Sequence, residues 1–450
     1  MHRDESQTQS LCPVCLQVLP AWRISQNGDL YLEKECPQHG HFKSLIWRGA
    51  DSYTSWGMTS VEAVPPQRFK TEGEQGCPYD CGLCTEHQAQ TCTAIIEVTQ
   101  RCNLACPVCF ASSPTNGKPD LSLKQIEKMF ESVRNYAGNP SMQLSGGEPT
   151  VRDDLPEIIA LGKSMGFSHI QINTNGLRIA RDPDYLGKLV QAGADLIYLQ
   201  FDGVSDEVYR ALRGRALFDI KIQAIRNCAA ANIGVLLVPT VFPRHNLNQL
   251  GDIVQFAKSW IPYIKGIHFQ PISYLGRYPG IPGDEDRVTL PDVIHALVEQ
   301  SGGELKKDNF LPRRSQDAHC SFNSIFVLGE DGMLHGRTNI NYLTIDEHRT
   351  DEQSPALLAQ AFVNQRWRYR EEPQSEEKSC CCCSQKSSYE KRLEREQKYS
   401  ITITGMPFQD VWNIDFDRLQ KCCVHVVTEQ GHLVPFCAYY LTSSTGERIY

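Results

Sequence analysis

The sequence predicts an α/β protein: a parallel sheet wrapped by helices as a (β/α)6 barrel or partial barrel. A small metal-binding ribbon precedes it and a cysteine-rich C-terminal part follows. Three observations predict this. Between residues 93 and 270, short apolar runs alternate with longer amphipathic ones, the signature of serial β-α units around a parallel sheet. The 19 cysteines gather into four groups, at 12, 15 and 36, at 77, 81, 84 and 92, at 102, 106 and 109, and at 380–383, 422, 423 and 437, with only Cys228 and Cys320 alone. The chain has 450 residues, 22% charged and 41% hydrophobic, which is ample for one large core with appendages.

Taken in order, residues 1–70 read as the ribbon. CPVCLQV carries Cys12 and Cys15, the turn QNGD follows, and DLYLEKECPQHGHF supplies Cys36. The second knuckle has no fourth cysteine, so His39 completes a Cys3His site, with His41 as the competing ligand. A closed tetrahedral site of this kind is structural rather than catalytic. Sulfur-rich tetrahedral ligation suits zinc and iron alike.

From 93 to 275, TAIIEV, SMQLSG, HIQINT, DLIYLQF, GVLLVPTV and GIHFQPI read as strands. They combine β-branched enrichment with short length. The helical partners are 121–138, 153–166, 182–193, a two-part stretch over 205–231, and 246–260, several of them ending in glycine. Beyond 276 the pattern predicts a helix near 291–300, a hairpin at SIFVLGEDGMLHG and a charged solvated segment around CCCC. The last predicted element is a hairpin, KCCVHVVTEQGHLVPFCAYYL, with cysteines at both ends. Cys228 sits in a helix as a buried small side chain.

Composition excludes some functions. A net charge of −8 offers no basic face to nucleic acid. The polar start MHRDESQTQS has no signal-peptide core, and no apolar run approaches the ~18 residues that span a bilayer. The expectation is a cytoplasmic chain with no transmembrane segment. In a reducing compartment, clustered cysteines are metal ligands or catalytic thiols more often than disulfides.

The chemistry centres on RCNLACPVCFA, where Cys102, Cys106 and Cys109 follow the first strand, at the end of the sheet where barrel active sites lie. Three thiolates can hold three irons of a [4Fe–4S] cluster and leave the fourth iron open. With this C-x3-C-x2-C spacing, Phe110, and SGGEP after the second strand, the chain resembles the radical S-adenosylmethionine superfamily. The resemblance implies S-adenosylmethionine on the open iron, cleavage to a 5′-deoxyadenosyl radical, and hydrogen abstraction from an unactivated carbon. It assigns Phe110, Gly146, Gly147 and Glu148 to the cofactor. Asn173 and Asn175 in NTNG and Asp202 in LQFDG stand at strand ends that border nucleoside and substrate, or are simply turn-forming residues. A reductant such as flavodoxin or ferredoxin is implied as the electron source.

A narrower resemblance comes from CPVC…CPQHG, CPYDCGLCTEHQAQTC and CCVHVVTEQGHLVPFCAYYLT together. These are similar to the subgroup containing archaeal tetraether lipid synthase and the 7,8-dihydro-6-hydroxymethylpterin methyltransferase. That resemblance implies two auxiliary clusters. One would use Cys77, Cys81, Cys84 and Cys92 in a segment at 71–92, with zinc as the alternative. The other would lie in a SPASM-like domain at 276–450 and draw on Cys320, some of Cys380, Cys381, Cys382 and Cys383, one of Cys422 and Cys423, and Cys437. The implied reaction is C–C bond formation or C-methylation of a lipid or a pterin-like small molecule. A peptide or metabolite maturase is the enzymatic alternative, a multi-cluster electron carrier the non-enzymatic one. The carrier needs neither an open iron nor SGGEP.

Overall fold

The computed structural model describes residues 6–58, 64–114, 118–278, 280–338, 367 and 395–450. At the N-terminus, β1 (Ser6–Leu11), β2 (Val18–Gln26), β3 (Asp29–Cys36) and β4 (Gly40–Trp47) form a four-stranded antiparallel sheet in that order, followed by the short helix α1 (Asp51–Gly57). The β2–β3 turn places Asn27 at φ 54° and Gly28 at φ 85°. Two successive left-handed residues are what a tight hairpin turn demands, and Asn-Gly supplies them at least cost.

The barrel region follows the predicted alternation. It runs β5 (Thr93–Thr99), α2 (Leu123–Ala137), β6 (Ser141–Gly146), α3 (Leu155–Ser164), β7 (Ile170–Thr174), α4 (Leu177–Arg181), α5 (Pro183–Gln191) and β8 (Leu196–Gln200). It continues with α6 (Asp206–Arg213), α7 (Phe218–Ala230), β9 (Gly234–Val238), β10 (Thr240–Val241), α8 (Leu250–Ser259) and β11 (Ile264–Pro271). Helix α2 is fixed at its start by a capping box between Ser122 and Gln125. The predicted run GVLLVPTV is broken into β9 and β10 because Pro239 has no N–H for the ladder; its carbonyl accepts from Gln270 N instead. Helix α4 has only five residues after the Gly176 turn, too short for its periodicity to be read.

The remaining elements are α9 (Leu290–Gln300), β12 (Leu311–Pro312), β13 (Phe322–Leu328), β14 (Leu334–Gly336), β15 (Ser400–Gly405), α10 (Phe416–Leu419), β16 (Val424–Val427), β17 (Leu433–Pro435) and α11 (Phe436–Tyr439). The second sheet runs β12-β13-β15-β11-β9-β8-β7-β6-β5-β16-β17, with β10 beside β11 and β14 beside β13. Its six predicted strands are parallel neighbours, and the C-terminal part adds parallel strands at both flanks, β15 against β11 and β16 against β5. The predicted hairpins appear as β13–β14 and β16–β17. Among the described residues no pairing joins β12 to β17, so the sheet is an open partial barrel.

Strand alternation sorts the side chains. Ala94, Ile96 and Val98 of β5, Met142 and Leu144 of β6, Ile170 and Ile172 of β7, and Ile197 and Leu199 of β8 pack outward with the helices in one large core. The intervening residues, among them Ile95, Gln143, Gln171, Asn173 and Tyr198, line an inner cavity. Period-two geometry produces this division directly. Cys228 is fully buried in the helical core, as expected for a small apolar residue.

The N-terminal sheet docks on the C-terminal part. Arg23 clamps Asp415 with two bonds of 2.8 Å, and Thr8 Oγ1 donates to the same carboxylate. Fully buried Lys34 donates to Ser10 Oγ and the Val411 carbonyl, and burial lowers its pKa to about 7.

Candidate active site and metal ribbon

In the ribbon, the four ligand atoms of Cys12, Cys15, Cys36 and His39 lie within 4.8 Å of one another. His39 Nδ1 stands 3.5 Å from Cys12 Sγ and 3.4 Å from Cys36 Sγ. His41 is turned away onto the Glu33 carboxylate on the exposed face, which removes it from the ligand set. The donor set is closed and sulfur-rich, as a structural zinc site requires.

The three-cysteine loop leaves β5 at Thr99 and covers the cavity, and Cys102, Cys106 and Cys109 all line it. Its root is fixed by SGGEP. Gly147 N donates to Thr99 O at 2.8 Å and Glu148 N to Arg101 O at 2.9 Å. Any Cβ at Gly146 would fall 2.1 Å from Thr99 O, and one at Gly147 would fall 2.2 Å from Arg101 O. The glycines are therefore needed for the approach of β6 to the loop as well as for lining the cavity. At the other end of the loop, Cys109 and Arg277 exchange two backbone bonds of 2.9 Å, and Arg277 Nε donates to the Cys106 carbonyl. Phe110 lies edge-on to Tyr440, 4.8 Å between centroids.

Glu148 is not a free carboxylate. It accepts from Thr150 N, Thr150 Oγ1 and Thr174 Oγ1 through Oε1, and from Asn175 N through Oε2. It locks NTNG to SGGEP. Asn175 then caps Leu177 N and donates to Asn103 Oδ1 of the cysteine loop at 2.7 Å, while Asn173 donates to Ser145 Oγ. Both asparagines line the cavity, so each is a turn-former and a wall residue at once.

Asp202 departs from its assignment at the cavity face. Its side chain is fully buried and does not line the cavity; it accepts from Arg213 Nε at 2.6 Å, Arg213 Nη2 at 2.8 Å and Thr240 N. The residue that faces inward is Arg213, on the last turn of α6, which also reaches the Cys106 thiol. Sequence reasoning missed it; the signal available was an arginine eleven positions after a strand-end aspartate. Arg213→Met is expected to destabilise the chain by about 3–5 kcal/mol, because it strands a buried carboxylate. Denaturant titration checks this, and a loss under about 1 kcal/mol would refute the pairing's importance.

Burial dominates the electrostatics. It pushes the free Cys102 thiol up to about 12 and raises Cys106. It holds His268, on the inner wall, at about 3 and so neutral, and brings Lys221 down to about 7 where its Nζ donates to the Asn175 carbonyl and Gln200 Oε1.

The auxiliary cysteines group differently from their sequence spacing. Cys77, Cys81 and Cys84 interact as a set, whereas Cys92 turns to the C-terminal part. Cys92 N donates to the Cys423 carbonyl at 2.8 Å and the two thiols pair. Cys422, Cys437 and Cys320 lie in electrostatic reach of one another, with Arg418 Nη2 donating to Cys320 Sγ. The spacing of 77, 81, 84 and 92 reads as one knuckle only until β16 pairs with β5 and brings Cys423 to Cys92. Cys380, Cys381, Cys382 and Cys383 lie outside the described residues.

Three thiols at the mouth of a cavity, at the C-terminal ends of parallel strands, are what an α/β enzyme would need to hold an iron–sulfur cluster with one iron left for a second ligand. Comparison with known proteins specifies it further. Residues 96–257 match the Radical SAM superfamily, and residues 5–48 match the HMPTM N-terminal zinc ribbon domain. The chain is 34% identical to the 7,8-dihydro-6-hydroxymethylpterin dimethyltransferase of Methanocaldococcus jannaschii, over 97% of this chain and 93% of that one. It is 32% identical to the mycofactocin maturase of Mycobacterium ulcerans, over 36% of this chain and 42% of that one. Among solved structures, that of Streptococcus suis SuiB bound to the precursor peptide SuiA aligns over 47% of this chain and 46% of that one, at 17% identity and a TM-score of 0.39. The chain belongs to the radical S-adenosylmethionine superfamily, in the family of the pterin dimethyltransferase. It is accordingly a radical S-adenosylmethionine enzyme with a zinc ribbon, using a [4Fe–4S] cluster and S-adenosylmethionine. No described helix is long and apolar enough to cross a membrane.

Proposed function

We propose that the enzyme abstracts hydrogen from a carbon of a pterin-like fused heterocycle and leads to its C-methylation. The observation that carries this reading is the whole-chain likeness to the pterin dimethyltransferase, and the amides on the cavity wall support it. Gln143, Gln171, Asn173, Gln200 and Gln270, from β6, β7, β8 and β11, all line the cavity. Amides facing a cavity suit a hydrogen-bonding ring system and would be costly against a lipid chain, which leaves them unpaired. A maturase reading rests on likeness over little more than a third of the chain.

Cys102, Cys106 and Cys109 would hold the catalytic cluster, with Gly146, Gly147, Asn173 and Asn175 beside the cofactor and Phe110 behind the loop. When bound, cluster and cofactor supply the 5′-deoxyadenosyl radical. The chain's own residues fix the loop root, close the cavity mouth and keep Arg213 aimed at Cys106. Two auxiliary clusters fit the remaining thiols. One would use Cys77, Cys81 and Cys84, and the other Cys92, Cys423 and ligands from Cys320, Cys422, Cys437 and the 380–383 run. A flavodoxin- or ferredoxin-type reductant would supply electrons.

The test is an anaerobic reaction of reconstituted full-length enzyme with S-adenosylmethionine, reductant and 7,8-dihydro-6-hydroxymethylpterin deuterated at its ring and hydroxymethyl carbons. Deuterium is expected in 5′-deoxyadenosine by mass spectrometry. Unlabelled 5′-deoxyadenosine alone would overturn the substrate reading and leave the superfamily assignment intact.

A further inference from the structure

Gln143 and Gln171 are direct register partners on the parallel strands β6 and β7. Both line the cavity, at 8% and 3% exposure. Gln171 Nε2 donates to Gln143 Oε1 at 2.6 Å. That single bond leaves Gln171 Oε1 closed off from solvent, with no hydrogen-bond partner among the described residues. The Gln143 Nε2 hydrogens likewise have no acceptor among the described residues. Their row-mates across the sheet are Ile95 beside Gln143 and Leu196 beside Gln171, both buried and apolar. A parallel strand covered on both faces ordinarily fills such positions with aliphatic side chains, and buried polar atoms are ordinarily paired. Two amides between apolar neighbours, with one acceptor and adjacent donors unspent, are part of the polar minority of a largely apolar pocket.

Depth identifies the occupant. Gln143 and Gln171 stand one side-chain repeat, about 6.6 Å, below Ser145 and Asn173 along strands that end at the cysteine loop. The cofactor would be held at that loop, so the amides would face what lies beneath it. We infer that Gln143 and Gln171 together read the donor–acceptor edge of the substrate's pyrimidinone ring, with Gln171 Oε1, turned into the cavity on binding, accepting from a ring N–H or amino group and Gln143 Nε2 donating to the adjacent oxygen or nitrogen. Side-by-side donor and acceptor amide atoms recognise base edges in the same bidentate way. The inference rests on the proposed pterin-like substrate and adds the residues that select it.

The probes are 6-hydroxymethylpterin and 6-hydroxymethyllumazine, in which an oxo group replaces the 2-amino group. Binding to zinc- and iron-loaded enzyme with S-adenosylmethionine is followed by quenching of probe fluorescence. Wild type is expected to prefer the pterin. Gln171→Met and Gln143→Met, close in volume, should each weaken pterin binding roughly ten- to a hundred-fold and erase the preference over lumazine. Affinity for S-adenosylmethionine, measured in the same samples, should match wild type. Two independent variants guard against one failing to fold, which metal content reports. Unchanged pterin affinity in both variants overturns the inference alone. Parallel loss of S-adenosylmethionine binding also overturns it, by assigning the amides to the cofactor. Failure of wild type to bind the pterin overturns the proposed substrate and this inference with it.

Discussion

Replacing Cys102, Cys106 and Cys109 together by Ala is expected to remove one [4Fe–4S] cluster, about four iron atoms per chain, and to abolish 5′-deoxyadenosine formation. These thiols are the ones the β5 loop brings to the cavity mouth, and the loop backbone leans on them only through the Leu104 N–H to Cys102 Sγ contact. Its fixed points are the Thr99 and Arg101 carbonyls under SGGEP and the Cys109–Arg277 backbone pair. The variant should therefore fold and keep its zinc and its remaining iron. Iron counting, Mössbauer spectroscopy and product analysis under reductant check it. Any 5′-deoxyadenosine above the enzyme-free background would refute the assignment of the catalytic cluster. Cys423→Ala in that background should lower the residual iron further, since Cys423 meets Cys92 across the β16–β5 pair.

The second large effect concerns the ribbon. His39→Ala is expected to lose the zinc and lower the thermal midpoint by at least several degrees, while His41→Ala should keep the metal. Structural zinc contributes folding energy directly. The loss propagates because the ribbon sheet covers buried Asp415 with Arg23 and packs Leu11 and Leu16 against Val411, Trp412 and Ile414. Metal analysis with calorimetry checks both variants. Zinc retained in His39→Ala, or lost in His41→Ala, would reverse the ligand choice.

Much of the barrel was legible because period two and period 3.6 are local signals. TAIIEV, SMQLSG and HIQINT each show their inward and outward residues in sequence. The three-cysteine loop and the Cys3His ribbon were legible because their ligands are close in the chain. What stayed hidden depends on long-range pairing. ITITG at 401–405 is a short polar-apolar stretch, yet as β15 it extends the sheet beside β11. Cys92 looked like the fourth ligand of its neighbours until β16 brought Cys423 to it. Asp202 reads as a strand-end residue beside the substrate or a turn-former, and Arg213 carries no signal of its own, because only the fold buries them together. The resemblance assigns the glycines of SGGEP to the cofactor, but sequence could not show that they also admit the loop's own carbonyls.

The late strands also set an order of assembly. β5 carries the catalytic loop, but one of its edges is filled by β16, more than three hundred residues later in the chain. Loop closure over such a separation is entropically slow. During synthesis that edge therefore stays bare, and Cys92 waits without Cys423, until residues 423–427 have been made. Iron delivered to the three-cysteine loop before then would meet a half-built sheet. A ribosome stalled before residue 424 therefore holds β5 with one edge unpaired and Cys92 without its neighbour Cys423.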